Sequence, residues 1–119
     1  MIILVVDDER DTLDLIDLTL STAGYQIHVA SSGTECLEMM RRNKYDLVLL
    51  DIMMPDMSGY EVLQTLKGEM DSLPPVVYLT ARSQPEDRAQ GMALGATDFL
   101  IKPITRGSLL DTIKRASAG

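Results

Sequence analysis

The chain has 119 residues, of which 45% are hydrophobic and 24% are charged, and its formal net charge is −7. That length predicts one domain, residues 1–119, and the composition is ordinary for a globular protein. The negative charge argues against direct binding to nucleic acid, because the phosphate backbone would repel it. No apolar run approaches the roughly 18 residues that a membrane span needs. The single cysteine, Cys36, makes a reducing cytoplasm the expected setting.

Five short apolar runs alternate with segments of helical period along the chain. The runs are residues 2–6, 26–30, 47–50, 76–79 and 98–101. Most of them are continuously apolar, which is typical of strands in a parallel sheet whose two faces are both covered. The alternation therefore predicts an α/β fold with a doubly wound parallel sheet and right-handed crossovers. A closed barrel is excluded, because it would need about eight such units.

The segments between the strands carry signals for the ends of helices. Gly24 stands where the first helix should end. S-x-x-E sequences begin at Ser32, Ser58 and Ser83 and predict capping boxes for the next three helices. Thr105 is expected to cap the last helix. Five helices are therefore predicted, one after each strand.

Polar side chains follow the strands at their carboxyl ends, where open α/β sheets bind ligands. The residues at these ends are Asp7, Asp8, Asp51, Thr80 and Lys102. Two carboxylates about 5 Å apart repel each other by roughly 3 kcal/mol at an effective dielectric constant near 20, and a divalent cation would relieve that repulsion. Ligands that offer only oxygen indicate a hard ion such as Mg²⁺.

The same residues suggest phosphoryl chemistry. A carboxylate can attack phosphorus and form an aspartyl phosphate. Lys102 and a cation would neutralise the transferring group, and Thr80 could donate a hydrogen bond to it. His28 and Cys36 do not fall at strand ends, so a zinc site is not expected.

Four sequence words occur in order: V-V-D-D-E at residues 5–9, L-L-D-I-M-M-P-D-M-S-G at 49–59, L-T-A-R at 79–82 and G-A-T-D-F-L-I-K-P-I at 95–104. With these words the chain resembles the CheY-like receiver domains of two-component response regulators along essentially its whole length. The resemblance implies a flavodoxin-like sheet of five parallel strands in the order 2-1-3-4-5, with five helices. It also implies a phosphoprotein switch that catalyses only its own phosphorylation and dephosphorylation. Its partners would be a sensor histidine kinase or phosphotransfer protein and an output domain or downstream protein.

The resemblance assigns the phosphoryl and metal chemistry to particular residues. Asp51 would be the phosphoacceptor. Asp8 would bind Mg²⁺ directly, and Asp7 would act mainly through water. Asp51 and the backbone carbonyl of Met53 would complete the protein's metal ligands.

A second group of residues would sense the phosphoryl group. Thr80 resembles the switch hydroxyl, and Phe99 the aromatic residue that follows it inward. Lys102 would pair with the phosphoryl oxygens, and its bond to Pro103 is a candidate cis peptide. The signal would leave through the face made by the predicted fourth helix, strand 5 and the last helix. That face could also serve a phosphorylation-dependent dimer.

Two positions near the site differ from those of the best-known receivers. Met53 and Arg82 each lie two residues after a site residue, and neither can act as a base that orients water. Arg82 could instead lie over the phosphoryl oxygens. A long-lived phosphorylated state is therefore expected.

Other functions on a similar fold make different demands on the sequence. A phosphatase of the haloacid-dehalogenase type needs an acid two residues after its nucleophile, where this chain has Met53. A flavin-binding module needs a first loop that accepts a phosphate, which the acids at residues 7–9 would repel. A receiver that binds partners without phosphorylation would not need every site residue, and here all are present.

Overall fold

The structure is a computed structural model that describes residues 1–81, 89, 92, 93 and 95–118. Five strands, β1 to β5, span Ile2–Val6, Gln26–Ala30, Leu47–Asp51, Val76–Thr80 and Asp98–Ile101. Within the described ranges four helices, α1 to α4, span Arg10–Thr22, Gly33–Arg42, Gly59–Glu69 and Arg106–Ala118. The helix predicted between β4 and β5 falls largely outside those ranges, as does its capping residue Ser83. Its described residues Ala89, Met92 and Ala93 are helical.

The five strands form one parallel sheet in the order β2-β1-β3-β4-β5. This order confirms the predicted fold. β1 pairs with both β2 and β3, so the chain winds outward from β1 in two directions. The reversal of direction leaves a crevice at the carboxyl ends of β1 and β3, which is where folds of this kind bind ligands.

Helices cover both faces of the sheet, which explains why most of the strands are continuously apolar. Helices α1 and α4 pack on one face, through the buried side chains of Leu13, Ile16, Leu20, Leu109 and Ile113. Helices α2 and α3 pack on the other, through Cys36, Met40, Val62, Leu63 and Leu66. All five residues of β3 and all five of β4 are buried. Burial of apolar surface at about 25 cal/mol per Å² supplies the main stabilisation of such a sandwich.

The predicted caps are present on the described helices. Ser32, Ser58 and Thr105 each accept a hydrogen bond from the backbone N–H three residues later, at 3.1–3.2 Å. The reciprocal half of the first capping box differs from the prediction, because the Glu35 carboxylate accepts from the N–H of Ser31 at 3.3 Å.

None of the helices in the described part of the chain combines the length and apolar character that a membrane crossing requires.

Candidate functional site

Three acidic side chains meet at the carboxyl ends of β1 and β3. Asp7 and Asp8 follow β1, and Asp51 is the last residue of β3 rather than the first residue after it. The pairing of Val6 with Leu50 brings these chain ends level with each other. One carboxylate oxygen from each acid lies within 4.8 Å of the others. Asp7 and Asp51 are buried, and Asp8 is exposed.

Lys102, which follows β5, brings a positive charge to these acids. Its Nζ lies 2.8 Å from Asp7 Oδ2, 3.6 Å from Asp51 Oδ1 and 3.5 Å from Glu9 Oε1. The contact with Asp7 is an ion pair without the angles of a hydrogen bond. Among the described residues, no other group donates a hydrogen bond to Asp7 Oδ2. The peptide bond between Lys102 and Pro103 is cis, in agreement with the sequence prediction.

Burial and charge together shift the ionisation of this cluster. Burial, followed by repulsion from Asp7, raises the pKa of Asp51 to about 7, although the Lys102 ammonium acts in the opposite direction. The pKa of Lys102 is also raised. Its burial lowers the pKa, but the nearby carboxylates of Asp7, Asp51 and Glu9 together outweigh that effect. One ammonium therefore leaves the carboxylates with excess negative charge.

The cluster has the donor chemistry of a site for a hard divalent cation. Its three carboxylates offer only oxygen, which Mg²⁺ prefers over nitrogen and sulfur. The exposed Asp8 leaves the cluster open on one side to solvent or a ligand. Met53 lies beside it, and its backbone N–H contacts Asp51 Oδ1 at 3.4 Å. Met53 itself is 56% exposed. The residues present therefore fit Mg²⁺.

Thr80 and Phe99 lie on the neighbouring strands β4 and β5. Thr80 is the last residue of β4 and is buried. Its carbonyl accepts a hydrogen bond of 2.8 Å from the N–H of Lys102. Phe99 is buried, and its ring is tilted by 45° against that of Tyr78, with 5.5 Å between the centroids. Arg82, predicted to lie over the site, is outside the described residues.

Three further residues contribute to the site without having been singled out in the sequence. Glu9 contacts Lys102, and Asp56 holds the loop that follows Asp51. Gly59 begins α3, and a Cβ placed there would lie 2.5 Å from the carbonyl oxygen of Asp51. Two of the three could have been found from the sequence. Glu9 belongs to the acidic run at residues 7–9, and Gly59 directly follows Ser58, the capping residue of α3. No local pattern indicated the role of Asp56.

The remaining candidates for chemistry are structural. His28 Nδ1 and the Tyr45 hydroxyl are 2.8 Å apart, and the two rings meet edge to face. Cys36 is buried in the core, where burial raises the pKa of its thiol to about 12. A thiol with so high a pKa is a poor metal ligand. Neither residue joins the acidic cluster.

Comparisons with known proteins agree on one family. A family model described as "Response regulator receiver domain" matches residues 3–114. The transcriptional regulatory protein HprR of Escherichia coli K12 is 39% identical over 114 residues, which are 96% of this chain and 50% of HprR. The chain thus spans about half the length of the curated relatives that it matches.

Solved structures with the same architecture include a chemotaxis protein and a response regulator protein. The chemotaxis protein CheY4 of Vibrio cholerae has 32% sequence identity and a TM-score of 0.91, with 97% of each chain covered. The response regulator protein TrrA of Thermotoga maritima, solved in complex with Mg²⁺–BeF, has 33% identity and a TM-score of 0.85, again with 97% of each chain covered.

Proposed function

This chain belongs to the response regulator receiver family of two-component systems, and from that premise we propose that Asp51 is its phosphoacceptor. The observation that carries the proposal is the position of Asp51 in the acidic cluster. Its carboxylate ends β3 beside Asp7 and Asp8, with the Lys102 ammonium 3.6 Å away. A buried nucleophile flanked by a cation site and an ammonium is suited to a transferring phosphoryl group.

In the proposed reaction, one oxygen of Asp51 attacks the phosphorus of a phosphohistidine on a partner kinase. The O–P bond forms as the N–P bond breaks, and the leaving imidazole nitrogen gains a proton from solvent. Lys102 can turn from Asp7 toward the phosphoryl oxygens and offset part of their charge. The domain would catalyse only this transfer and the later hydrolysis of its own aspartyl phosphate.

Magnesium is the proposed cofactor. Asp8, Asp51 and the carbonyl of Met53 would hold the ion, with Asp7 acting through water. The bound ion would supply positive charge that favours ionised Asp51 and neutralises the phosphoryl oxygens. The raised pKa of Asp51 means that the carboxylate is only partly ionised near neutral pH without such help. The Mg²⁺–BeF complex of TrrA supports this assignment.

We further propose that Thr80 and Phe99 carry the signal toward an output domain or downstream protein. Thr80 ends β4, the strand next to β3, and its carbonyl accepts a hydrogen bond from the N–H of Lys102, the residue directly after β5. Movement of Thr80 toward a phosphoryl group would therefore perturb β5. Phosphorylation can shift the balance between two arrangements only through its different interaction with each of them. Amide exchange with beryllofluoride and Mg²⁺ should change most between Thr80 and Lys102, and changes confined to α1 would contradict this output face.

The test of phosphorylation is direct. Incubation with acetyl phosphate and Mg²⁺ should add the mass of one phosphoryl group to the intact chain. Asp51→Asn should abolish the added mass, because an amide is not an effective nucleophile here. Asp71→Asn removes an exposed acid outside the site and should leave phosphorylation unchanged. Full labelling of the Asp51→Asn protein would overturn the assignment.

A further inference from the structure

Asp56 contacts the first turn of α2, 22 to 23 residues earlier in the chain. Its Oδ1 accepts a hydrogen bond from the Gly33 N–H at 3.1 Å. Its Oδ2 accepts from both the N–H and the hydroxyl of Thr34, each at 2.9 Å. The first N–H groups of a helix have no partner within the helix, and a negative charge there is favoured by the helix dipole. Asp56 thus caps a helix to which it does not belong.

The start of α2 has two different caps. The Ser32 hydroxyl accepts from the N–H of Glu35 at 3.1 Å and is local to the helix. Asp56 binds the neighbouring N–H groups from outside. These bonds, above all the one from the Thr34 N–H, lower the pKa of the exposed Asp56 to about 2, although a small loss of hydration opposes them. Asp56 is therefore charged at any pH near neutrality.

Asp56 lies in the loop that joins the phosphoacceptor strand to α3, here called the β3–α3 loop (residues 52–58). Backbone hydrogen bonds hold the two ends of this loop. The Ile52 N–H donates to the Leu79 carbonyl at 3.1 Å, and the Gly59 N–H donates to the Ile52 carbonyl at 2.8 Å. Asp56 attaches the middle of the loop to α2. A loop fixed at three points has less freedom to move than one fixed at its ends.

Packing supports the same attachment. A Cβ on Gly33 would lie 2.9 Å from the Cβ of Met57 and 3.0 Å from Cγ2 of Val62. The first residue of α2 therefore lies directly against the loop residue that follows Asp56. The hydrogen bonds of Asp56 and this close approach depend on each other, because a larger residue at position 33 would separate the loop from the helix.

We propose that Asp56 is a positioning residue, which holds the β3–α3 loop and the Met53 carbonyl in the geometry that binds Mg²⁺ beside Asp51. The inference rests on the proposed function. Met53 precedes Asp56 by three residues, and its N–H already contacts Asp51 Oδ1. A metal ligand must be held within about 0.5 Å of its productive position. A backbone carbonyl on a loop can meet that requirement only if the loop is attached to the rest of the fold.

The test compares two cap variants of the same helix in the full chain. Asp56→Ala removes the loop attachment, whereas Ser32→Ala removes the local cap and leaves the loop in place. Both should lower the melting temperature, because each removes an acceptor from the start of α2. Calorimetric titration with MgCl₂ alone should show affinity about tenfold weaker for Asp56→Ala and unchanged for Ser32→Ala. The rate of phosphorylation by acetyl phosphate at subsaturating Mg²⁺ should fall in the same proportion.

Two milder variants keep the test decisive if Asp56→Ala does not fold. Asp56→Asn retains an oxygen acceptor and should give an intermediate Mg²⁺ affinity. Thr34→Val removes one donor to Asp56 and should weaken Mg²⁺ binding less than Asp56→Asn does. Equal Mg²⁺ affinities for the Asp56 variants, Ser32→Ala and the wild type would overturn the positioning role.

The outcome also separates this inference from the proposed function. A wild-type chain that binds Mg²⁺ and is phosphorylated on Asp51, with Asp56 variants that do the same at equal Mg²⁺ affinity, would refute only the role of Asp56. A wild-type chain that takes no phosphoryl group from acetyl phosphate would contradict the proposed function itself.

Discussion

The chemistry of the site depends on how one ammonium is shared among several carboxylates. Lys102 is closer to Asp7 than to Asp51, at 2.8 Å against 3.6 Å. Asp51 is only 3% exposed, so its ionised form loses hydration without gaining a dedicated partner. This explains why the pKa of Asp51 rises to about 7 while Lys102 stays charged. Keeping Asp51, the proposed phosphoacceptor, buried among these acids therefore costs stability that a bound cation would offset.

That cost predicts a pH dependence of stability. In the unfolded chain Asp51 ionises near its ordinary value of about 4, whereas in the fold it keeps its proton up to about pH 7. Below about pH 4 Asp51 is protonated in both states and costs the fold no stability. As the pH rises from about 4 to about 7, the unfolded chain becomes increasingly favoured, because only there does Asp51 ionise freely. Above about pH 7 this loss of stability is constant. Asp51→Asn should stabilise the metal-free protein at pH 8 by about 1–3 kcal/mol, and by much less at pH 4.5.

Urea unfolding with EDTA at several pH values between 4.5 and 8 measures this difference. Asp71→Asn makes the same chemical change at an exposed acid outside the site and serves as the control for the substitution itself. A stability difference between Asp51→Asn and the wild type that stays constant over this range would mean that Asp51 titrates normally in the fold.

At the level of elements, the site depends on how closely α3 approaches the end of β3. The N–H of Gly59, the first residue of α3, donates to the Ile52 carbonyl at 2.8 Å. A Cβ at Gly59 would lie 2.5 Å from the Asp51 carbonyl oxygen and 3.0 Å from Cα of Ile52. Both contacts are with backbone, which cannot rotate away. The glycine therefore allows a helix to begin directly against the strand that carries Asp51.

Gly59→Ala should destabilise the fold by about 1–3 kcal/mol, because the added methyl group must displace the backbone beside Asp51. It should also slow phosphorylation by acetyl phosphate. Gly68→Ala is a matched control on the same helix, since a Cβ there meets nothing within 4 Å. That variant should be neutral or more stable by up to about 1 kcal/mol, because alanine favours helices.

Chemical unfolding and phosphorylation rates measured on both variants distinguish close packing from helix propensity. Equal effects of the two substitutions would show that the approach of α3 to β3 is not a constraint. A Gly59→Ala protein that loses stability but is phosphorylated at the normal rate would show that the geometry of Asp51 does not depend on this contact.

At the level of the whole molecule, Mg²⁺ should stabilise the fold. The three acids lie within 4.8 Å of one another in the native state, whereas the unfolded chain separates Asp51 from the other two. Binding to the native state alone adds about 1.4 kcal/mol at a concentration ten times the dissociation constant. For a domain of this size, the melting temperature should rise by about 5 °C.

The control for this prediction is Asp8→Ala, which removes the exposed acid of the cluster. Without metal it should be at least as stable as the wild type, because repulsion is reduced, and it should gain nothing from MgCl₂. NaCl at matched ionic strength separates binding from general screening. A wild-type melting temperature that does not respond to MgCl₂ beyond the effect of NaCl would contradict a cation site at these acids.

The sequence by itself determined the architecture and which residues lie at the centre of the candidate site. Continuous apolar runs are needed when both faces of a parallel sheet are buried, so the strands could be predicted to within one residue. The two strands that were predicted one residue too short are those that end in Asp51 and Thr80. Their terminal side chains are polar, but their backbone still pairs with the sheet. Gly24, which follows the C-cap of α1, has a φ of 98°, which glycine adopts without strain.

Only the tertiary structure decided which partners these residues have. The contact of Lys102 with Glu9 joins residues 93 positions apart, and that of Asp56 with Gly33 joins residues 23 apart. No local periodicity encodes such contacts, because they depend on where the sheet places the ends of its strands and the helices between them. The sequence was therefore enough to predict that the acids and Lys102 meet at one edge of the sheet. The sharing of the ammonium and the attachment of the β3–α3 loop to α2 follow from packing in three dimensions.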